Sequence, residues 1–186
     1  MSNTFLVSDW HLSHVGATKF LNDDGSKMRP FDTVEEMDEA LVERHNSVVG
    51  PKDKVYVLGD CAINRRGLHH IGRLNGDKVL IKGNHDIFRL EEYTPYFRDI
   101  RGYHVMDKLL LAHIPIHPAC LERYRGQVHG HLHTYAMKHS WTVGGPKGEK
   151  KYAEEDHRYF SVCVERINFT PIPFEKVNDI FKERGL

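Results

Sequence analysis

Lys54-Val55-Tyr56-Val57-Leu58-Gly59-Asp60 is a short apolar run that ends in glycine and aspartate. A run of this length bounded by turn formers reads as a buried strand that delivers a carboxylate at its carboxyl end. The same shape stands upstream at Asn3–Asp9 (NTFLVSD) and downstream at Lys78–Asp86 (KVLIKGNHD). Between the first two, Thr33-Val34-Glu35-Glu36 forms a capping box, and Val34, Met37, Leu41, Val48 and Val49 fall near one helical face before Gly50-Pro51. Leu68, Ile71 and Leu74 predict a second helix ending at Asn75-Gly76. Strand, helix, strand, helix, strand in that order predicts right-handed crossovers and a largely parallel sheet. The second half carries short apolar runs at Tyr103–Met106, Leu109–Ala112, Gln127–His129 and Tyr159–Val164, which read as further strands. Pro173 opens a last helix, Phe174–Arg184, and the polar stretch Thr142–Asp156 reads as an exposed loop or loose hairpin.

A length of 186 residues is expected to form a single domain over 1–186. Lysine plus arginine and aspartate plus glutamate each number 26, so the broad positive field of a non-specific nucleic-acid binder is absent. No apolar run reaches the length of a membrane span, so neither membrane insertion nor a signal peptide is expected. Three widely spaced cysteines (Cys61, Cys120, Cys163) exclude a disulfide framework and a thiolate zinc site, and the expected location is the reducing cytoplasm. Histidine is over-represented, with 14 copies, and it is the commonest metal ligand.

Asp9-Trp10-His11 sets a carboxylate and an imidazole at i and i+2, which on an extended chain share one side. Asp60 offers two oxygens after Gly59, so one carboxylate can serve two metals. In Gly83-Asn84-His85-Asp86, Asn84 supplies a neutral amide oxygen while His85, next in sequence, points elsewhere. His113 ends the run LLLAH, and His129-Gly130-His131-Leu132-His133 repeats the i, i+2 arrangement. Each cluster alone also describes a turn or a solvated surface. Together they stand at the ends of five strand-like runs, where surface histidines have no reason to gather.

The order D-x-H, G-D, G-N-H-D, H, G-H-x-H resembles that of the calcineurin-like metallophosphoesterases. The likeness extends to a group of small bacterial and phage phosphoesterases, with His14 after D-x-H, then Arg29-Pro30-Phe31, and a similar closing segment from Tyr159 to Phe174. The resemblance implies an α/β (α+β) fold: a sandwich of two mixed β-sheets flanked by helices. It also implies a site in which Asp9, His11 and His133 bind one metal, Asn84, His113 and His131 a second, and Asp60 bridges them. His85 is then the catalytic acid, and His113 is preferred over His117 as ligand. Asn64-Arg65-Arg66-Gly67 stands where the family's protein phosphatases have an acidic residue in a D-R-G triplet, so protein phosphatase activity is disfavoured.

Two divalent ions can activate a bridging hydroxide and clamp the oxygens of an in-line displacement, with no side-chain nucleophile. The chain has neither a C-x5-R phosphatase loop nor a P-loop. Two such ions against Asp9, Asp60 and the hydroxide leave about one positive charge, which suits a monoanionic phosphodiester. Imidazole, carboxylate and amide donors suit manganese first, then iron, zinc or nickel. His14, Arg29 and Asn84 are candidate substrate contacts, Arg65 a weaker one, and Asp60 or Asp86 is expected to orient His85. The expected partner is a phosphate ester, a nucleotide or nucleic-acid fragment included, with no obligatory protein partner. The alternatives are a nuclease, kept open by Lys147, Lys150 and Lys151, a phosphomonoesterase, and a non-catalytic binding scaffold.

Overall fold

The computed structural model describes residues 2–144 and 150–186 of the chain. The three apolar runs become β1 (Thr4–Val7), β2 (Lys54–Val57) and β3 (Asp77–Ile81), paired side by side in parallel. β4 (Asp99–Arg101) extends that sheet in parallel beyond β3, and β11 (Ile172–Pro173) closes its other edge antiparallel to β1. The second sheet runs β10 (Tyr159–Ser161), β7 (Gly126–His129), β6 (Leu109–Leu111), β5 (His104–Met106), parallel except for the β5–β6 hairpin. Both sheets are therefore mixed.

Residue alternation along the strands builds two apolar layers. Phe5, Val7, Val55, Val57 and Leu80 face a core shared with Met37 and Leu41 of α1 (Val34–Val48) and Leu68 and Ile71 of α2 (Arg65–Ile71). Leu6, Tyr56, Val79 and Ile81 point the other way, against Leu109, Leu111 and Val128 of the second sheet. Val177 and Phe181 of α4 (Phe174–Glu183) are fully buried in that inter-sheet core. The result is a two-sheet α/β sandwich with helices outside it.

The sheets meet where the chemistry is. Ser8 N–H donates to Val162 O (2.9 Å), Val164 N–H to Ser8 O (3.2 Å) and Val162 N–H to His129 O (2.8 Å). These bonds tie the carboxyl end of β1 to those of β7 and β10, so Asp9 arrives beside the loop that carries His131 and His133.

Thr33 caps α1 by accepting from Glu36 N–H, as its sequence predicts, although the Glu36 carboxylate reaches Asp32 N–H. α2 stops at Ile71, earlier than Asn75, where the chain tightens into three-residue turns (Gly72 N–H to His69 O, Arg73 N–H to His70 O, Leu74 N–H to Ile71 O); Leu74 is still buried, and its carbonyl accepts from Lys78 Nζ (2.6 Å). β4 and the one-turn helix α3 (Leu90–Tyr93) have no counterpart in the sequence reading, since Asp99-Ile100-Arg101 offers one apolar residue and no alternation. The stretch read as a loop or loose hairpin from Thr142 starts inside an exposed strand, β8 (Lys138–Val143), which pairs antiparallel with β9 (Lys150–Glu155), while 145–149, Lys147 included, lie outside the described residues. No helix among the described residues is long and apolar enough to cross a membrane.

His45 of α1 is fully buried, donates from Nε2 to Asn75 O (3.0 Å), and leaves Nδ1 without a partner among the described residues. Burial, aided by the charge of Lys78 and opposed by the Asn75 bond, pushes its pKa down to about 4 from 6.5. The unfolded chain then takes up the proton first as the pH falls. Stability is fully present above pH 6.5 and is lost as the pH drops toward 4, by about 2 kcal/mol at pH 5 and about 3 kcal/mol at pH 4. Urea unfolding of the wild type and His45→Gln should show the difference between them shrinking by those amounts from pH 7.5 downward.

Candidate metal centre

The i, i+2 donors share a side, though not by the extended backbone their spacing suggests. Asp9 (φ 60°), His11 (51°), Asp60 (55°), His131 (72°) and His133 (51°) all lie in the left-handed region, as does Ser13 (59°). Such a conformation costs a residue other than glycine roughly 1 kcal/mol or more and persists where surrounding bonds impose it. Here Asp9 N–H donates to Gly59 O and His11 N–H to Asp60 O, both at 3.0 Å. Arg29 donates to Asp9 O (2.6 Å) and Trp10 O (2.8 Å), and Asp38 accepts from Ser13 N–H (2.9 Å). Trp10 and Leu12 fill the core from between the flipped residues.

The motif glycines keep room for the carboxylates. A Cβ on Gly130 would overlap Asp9 Oδ2, one on Gly83 would overlap Asp60 Oδ1, and one on Gly59 would stand 2.6 Å from His113 Nδ1. No side chain fits at these three points without moving a donor.

Among the described residues two groups of donors result: Asp9, His11 and His133, and Asp60, His113 and His131. Asp9 Oδ1 lies 3.7 Å from His11 Nε2 and 3.9 Å from His133 Nε2. Asp60 Oδ2 lies 3.8 Å from His11 Nε2 and 3.3 Å from His113 Nε2, so one carboxylate oxygen faces both groups. Asn84 Oδ1 accepts from His113 Nε2 and His131 Nδ1, each at 2.9 Å. All seven residues singled out as ligands are thus brought to one place.

Buried atoms without partners test whether a cation fits. Among the described residues, fully buried Asp9 has Oδ1 unpaired, and both ring nitrogens of buried His11 lack partners as well. A buried polar atom left unpaired costs about 1 to 3 kcal/mol. Donors about 2 Å from a shared ion stand roughly 3 to 3.5 Å apart, near the separations found here. Oxygen and imidazole donors without thiolate suit a divalent transition metal.

Electrostatics agree. Burial disfavours the Asp9 carboxylate, yet the neighbouring His11 imidazole and the charges of His113 and His133 hold its pKa well below the usual range. Burial likewise opposes charge on His113, but its bond to Asp60 and the charges of Asp9 and Asp60 raise its pKa to about 9. In the metal-free chain His113 therefore holds a proton that a metal would displace. Its Nδ1 donates to Leu58 O (2.7 Å), which aims Nε2 at the centre.

Other candidates take different places. Arg29, read as a substrate contact, is 1% exposed and its Nε–H donates to Glu165 (2.7 Å), so its buried guanidinium braces the Asp9–Trp10 backbone. Glu165, which the sequence reading passed over, also accepts from His133 Nδ1 (3.0 Å); its burial opposes ionisation, but Arg29 and His133 keep its pKa low. Asp86 accepts from the N–H groups of Asp60, Cys61 and Gly83, bracing two loops with no oxygen turned to the His85 ring. Asp60 Oδ1 accepts from the His85 backbone N–H (2.8 Å). The exposed His85 ring lies 5.6 Å from that of His11, and His14 lies 5.8 Å from it on the same group. Arg65 is drawn to Glu92 (2.6 Å) and Phe88, and exposed His117 caps the short turn Pro118–Leu121.

An uncharacterized protein of Methanocaldococcus jannaschii, MJ1445, is 30% identical to the chain over 185 residues, covering 95% of this chain and 90% of that one. The chain belongs to the family of that archaeal protein. The gene 66 protein of Mycobacterium phage L5 is 37% identical over 91 residues, 46% of this chain and 41% of the phage protein. A protein of unknown function from Aquifex aeolicus, AQ665, superposes with a TM-score of 0.66 at 20% identity over 97% of this chain and 100% of its own, a likeness of fold. No family model matches the chain.

Asp60 faces both groups and His133 one. Asp60→Ala should therefore weaken two manganese-binding steps in a calorimetric titration, and His133→Ala a single step. Gly130→Ala should displace Asp9 and behave like His133→Ala.

Proposed function

We propose that the chain is a calcineurin-like metallophosphoesterase, a single cytoplasmic domain that hydrolyses a phosphodiester of small or modest size with two divalent transition-metal ions, manganese first. The observation that carries this reading is Asp60, one buried carboxylate directed at two donor groups, the first of which leaves Asp9 Oδ1 and both His11 nitrogens unpaired among the described residues. Bound there, the ions would supply an activated water and a clamp on the phosphoryl oxygens.

The chain's own residues divide the remaining work. Leu58 O fixes the His113 ring and Glu165 the His133 ring, so each presents Nε2 inward in one orientation. Asp9 and Asp60 contribute two negative charges, and the Arg29–Glu165 pair cancels itself, so the charge count that favours a monoanionic diester is unchanged. His85 is held through its backbone and keeps its ring toward solvent, where it can hand a proton to the departing oxygen. His14 borders the same group and is the remaining side chain for the phosphoryl oxygens. Burial and the charges of His11, Arg29, His85 and His133 lower its pKa, so at neutral pH it contacts them as a neutral donor.

A nuclease reading of the same centre draws support from the β8–β9 hairpin. His139, Trp141 and Tyr152 stack along one exposed face (5.8 and 5.7 Å between neighbouring centroids), with Lys138, Lys150 and Lys151 on the same two strands. Exposed aromatics beside cations suit single-stranded bases. Cleavage of short RNA faster than of small diesters would move the assignment there.

Manganese-loaded protein should cleave bis(p-nitrophenyl) phosphate faster than p-nitrophenyl phosphate; a monoester preference across several metals would overturn the diester assignment. His85→Ala should retain its metals and lose about 10² to 10⁴-fold in kcat with an alkyl leaving group, but far less with nitrophenolate, which departs unprotonated. Equal losses with both would make His85 a phosphate contact.

A further inference from the structure

A cavity of about 590 Å³ opens beside the metal centre, sharing Asn84 and His113 with it. That volume lies in the range of small-molecule sites. Because Leu109 and Leu111 of β6 point into the inter-sheet core, Leu110 and Ala112 face the opposite way, and these two pave the cavity floor. Tyr103, Tyr124 and Ile116 add to the lining. Tyr103 is 61% exposed and Ile114 50%, large apolar side chains left open next to a centre otherwise made of imidazole and carboxylate. Lys82 is on the wall, and no aspartate or glutamate is, among the described residues. An apolar cleft with a cation and no carboxylate, opening onto a site that takes a phosphoryl group, matches an anionic ester with a flat apolar body. His85 and His14 stand by the other donor group, around His11.

We infer that this cleft binds an aromatic ester group of the substrate, with the phosphoryl group at Asn84 and His113 and the ring over Leu110 and Ala112 against the tyrosines. The inference rests on the phosphodiesterase reading and narrows its substrate class to diesters that carry an aromatic ring.

Cys120 gives a readout independent of turnover. It is exposed and lines the cleft, whereas Cys61 and Cys163 are fully buried, so N-ethylmaleimide should alkylate Cys120 selectively. In manganese-loaded protein, phenylphosphonate should slow that alkylation several-fold, and methylphosphonate at equal concentration should not. Tyr103→Ala should raise KM for an aryl methyl phosphodiester about tenfold with little change in kcat, and leave KM for dimethyl phosphate unchanged. Equal protection by the two phosphonates, or none, in protein that still hydrolyses diesters overturns the cleft assignment and leaves the hydrolase. Protection by phenylphosphonate alone in protein that cleaves no diester upholds the cleft and removes the hydrolase.

Discussion

Two carboxylates buried side by side set the terms for the rest of the molecule. Asp9 and Asp60 end adjacent parallel strands, so the same register that pairs Val7 with Val57 also brings their charges together out of water. Like charges in a low-dielectric interior repel strongly, and each also loses its hydration. Relief has to come from the facing sheet, and it does: His113 follows β6, and His131 and His133 follow β7. The order and parallel pairing of β6 and β7 are thus tied to the charge problem at the ends of β1 and β2, and the Ser8–Cys163 bridge fixes the distance between the two halves.

Imidazoles alone leave that relief incomplete. Among the described residues Asp9 Oδ1 and both nitrogens of His11 remain unpaired, and five donor residues are held in left-handed conformations that an ordinary loop would abandon. The fold spends buried interactions to hold this geometry. Arg29 and Glu165, both nearly inaccessible, join neither core nor surface; one secures the carbonyls of Asp9 and Trp10 and the other secures His133. A buried ion pair adds little net stability over well-packed apolar side chains. Its value here is orientation, since loss of either partner would free one donor loop and strand the other charge.

The three parallel strands β1 to β3, most strands of the second sheet and the helices α1 and α4 are legible in the sequence because each rests on a local signal, an apolar run of strand length or a capping box, and polar residues at strand ends mark where to look, whereas the set of seven donors was implied by the family resemblance. What escaped the reading depends on distant partners. Nothing near Arg29 in sequence announces that it will meet Glu165, 136 positions away. Asp38, which holds Ser13, looks like any polar residue of an amphipathic helix. The i, i+2 spacing led to the correct side by an incorrect backbone, because alternate left-handed residues and an extended strand both return every second side chain to one face. The glycines of G-D and G-N-H-D read as turn formers, whereas at Gly83, and at Gly130 as well, the absence of a Cβ beside a carboxylate is what decides.

Polarity across the centre follows from the same construction. The Asp9–His11–His133 group sits where the chain after β1 loops past Arg29 and α1, so titratable and polar side chains, His14 and His85 among them, crowd that side. The Asp60–His113–His131 group sits where β3 and β6 end, and the outer face of β6 carries Leu110 and Ala112, so its surroundings are apolar. Asn84 and His85 are adjacent in sequence yet border different groups, one sharing its oxygen between His113 and His131, the other standing against His11. In the proposed reaction this separates two jobs that would conflict in one environment: proton delivery needs a solvated imidazole, and holding a ring needs a dry wall. A loop that turns once between neighbouring residues satisfies both, with Asp60 between them accepting the backbone N–H of His85.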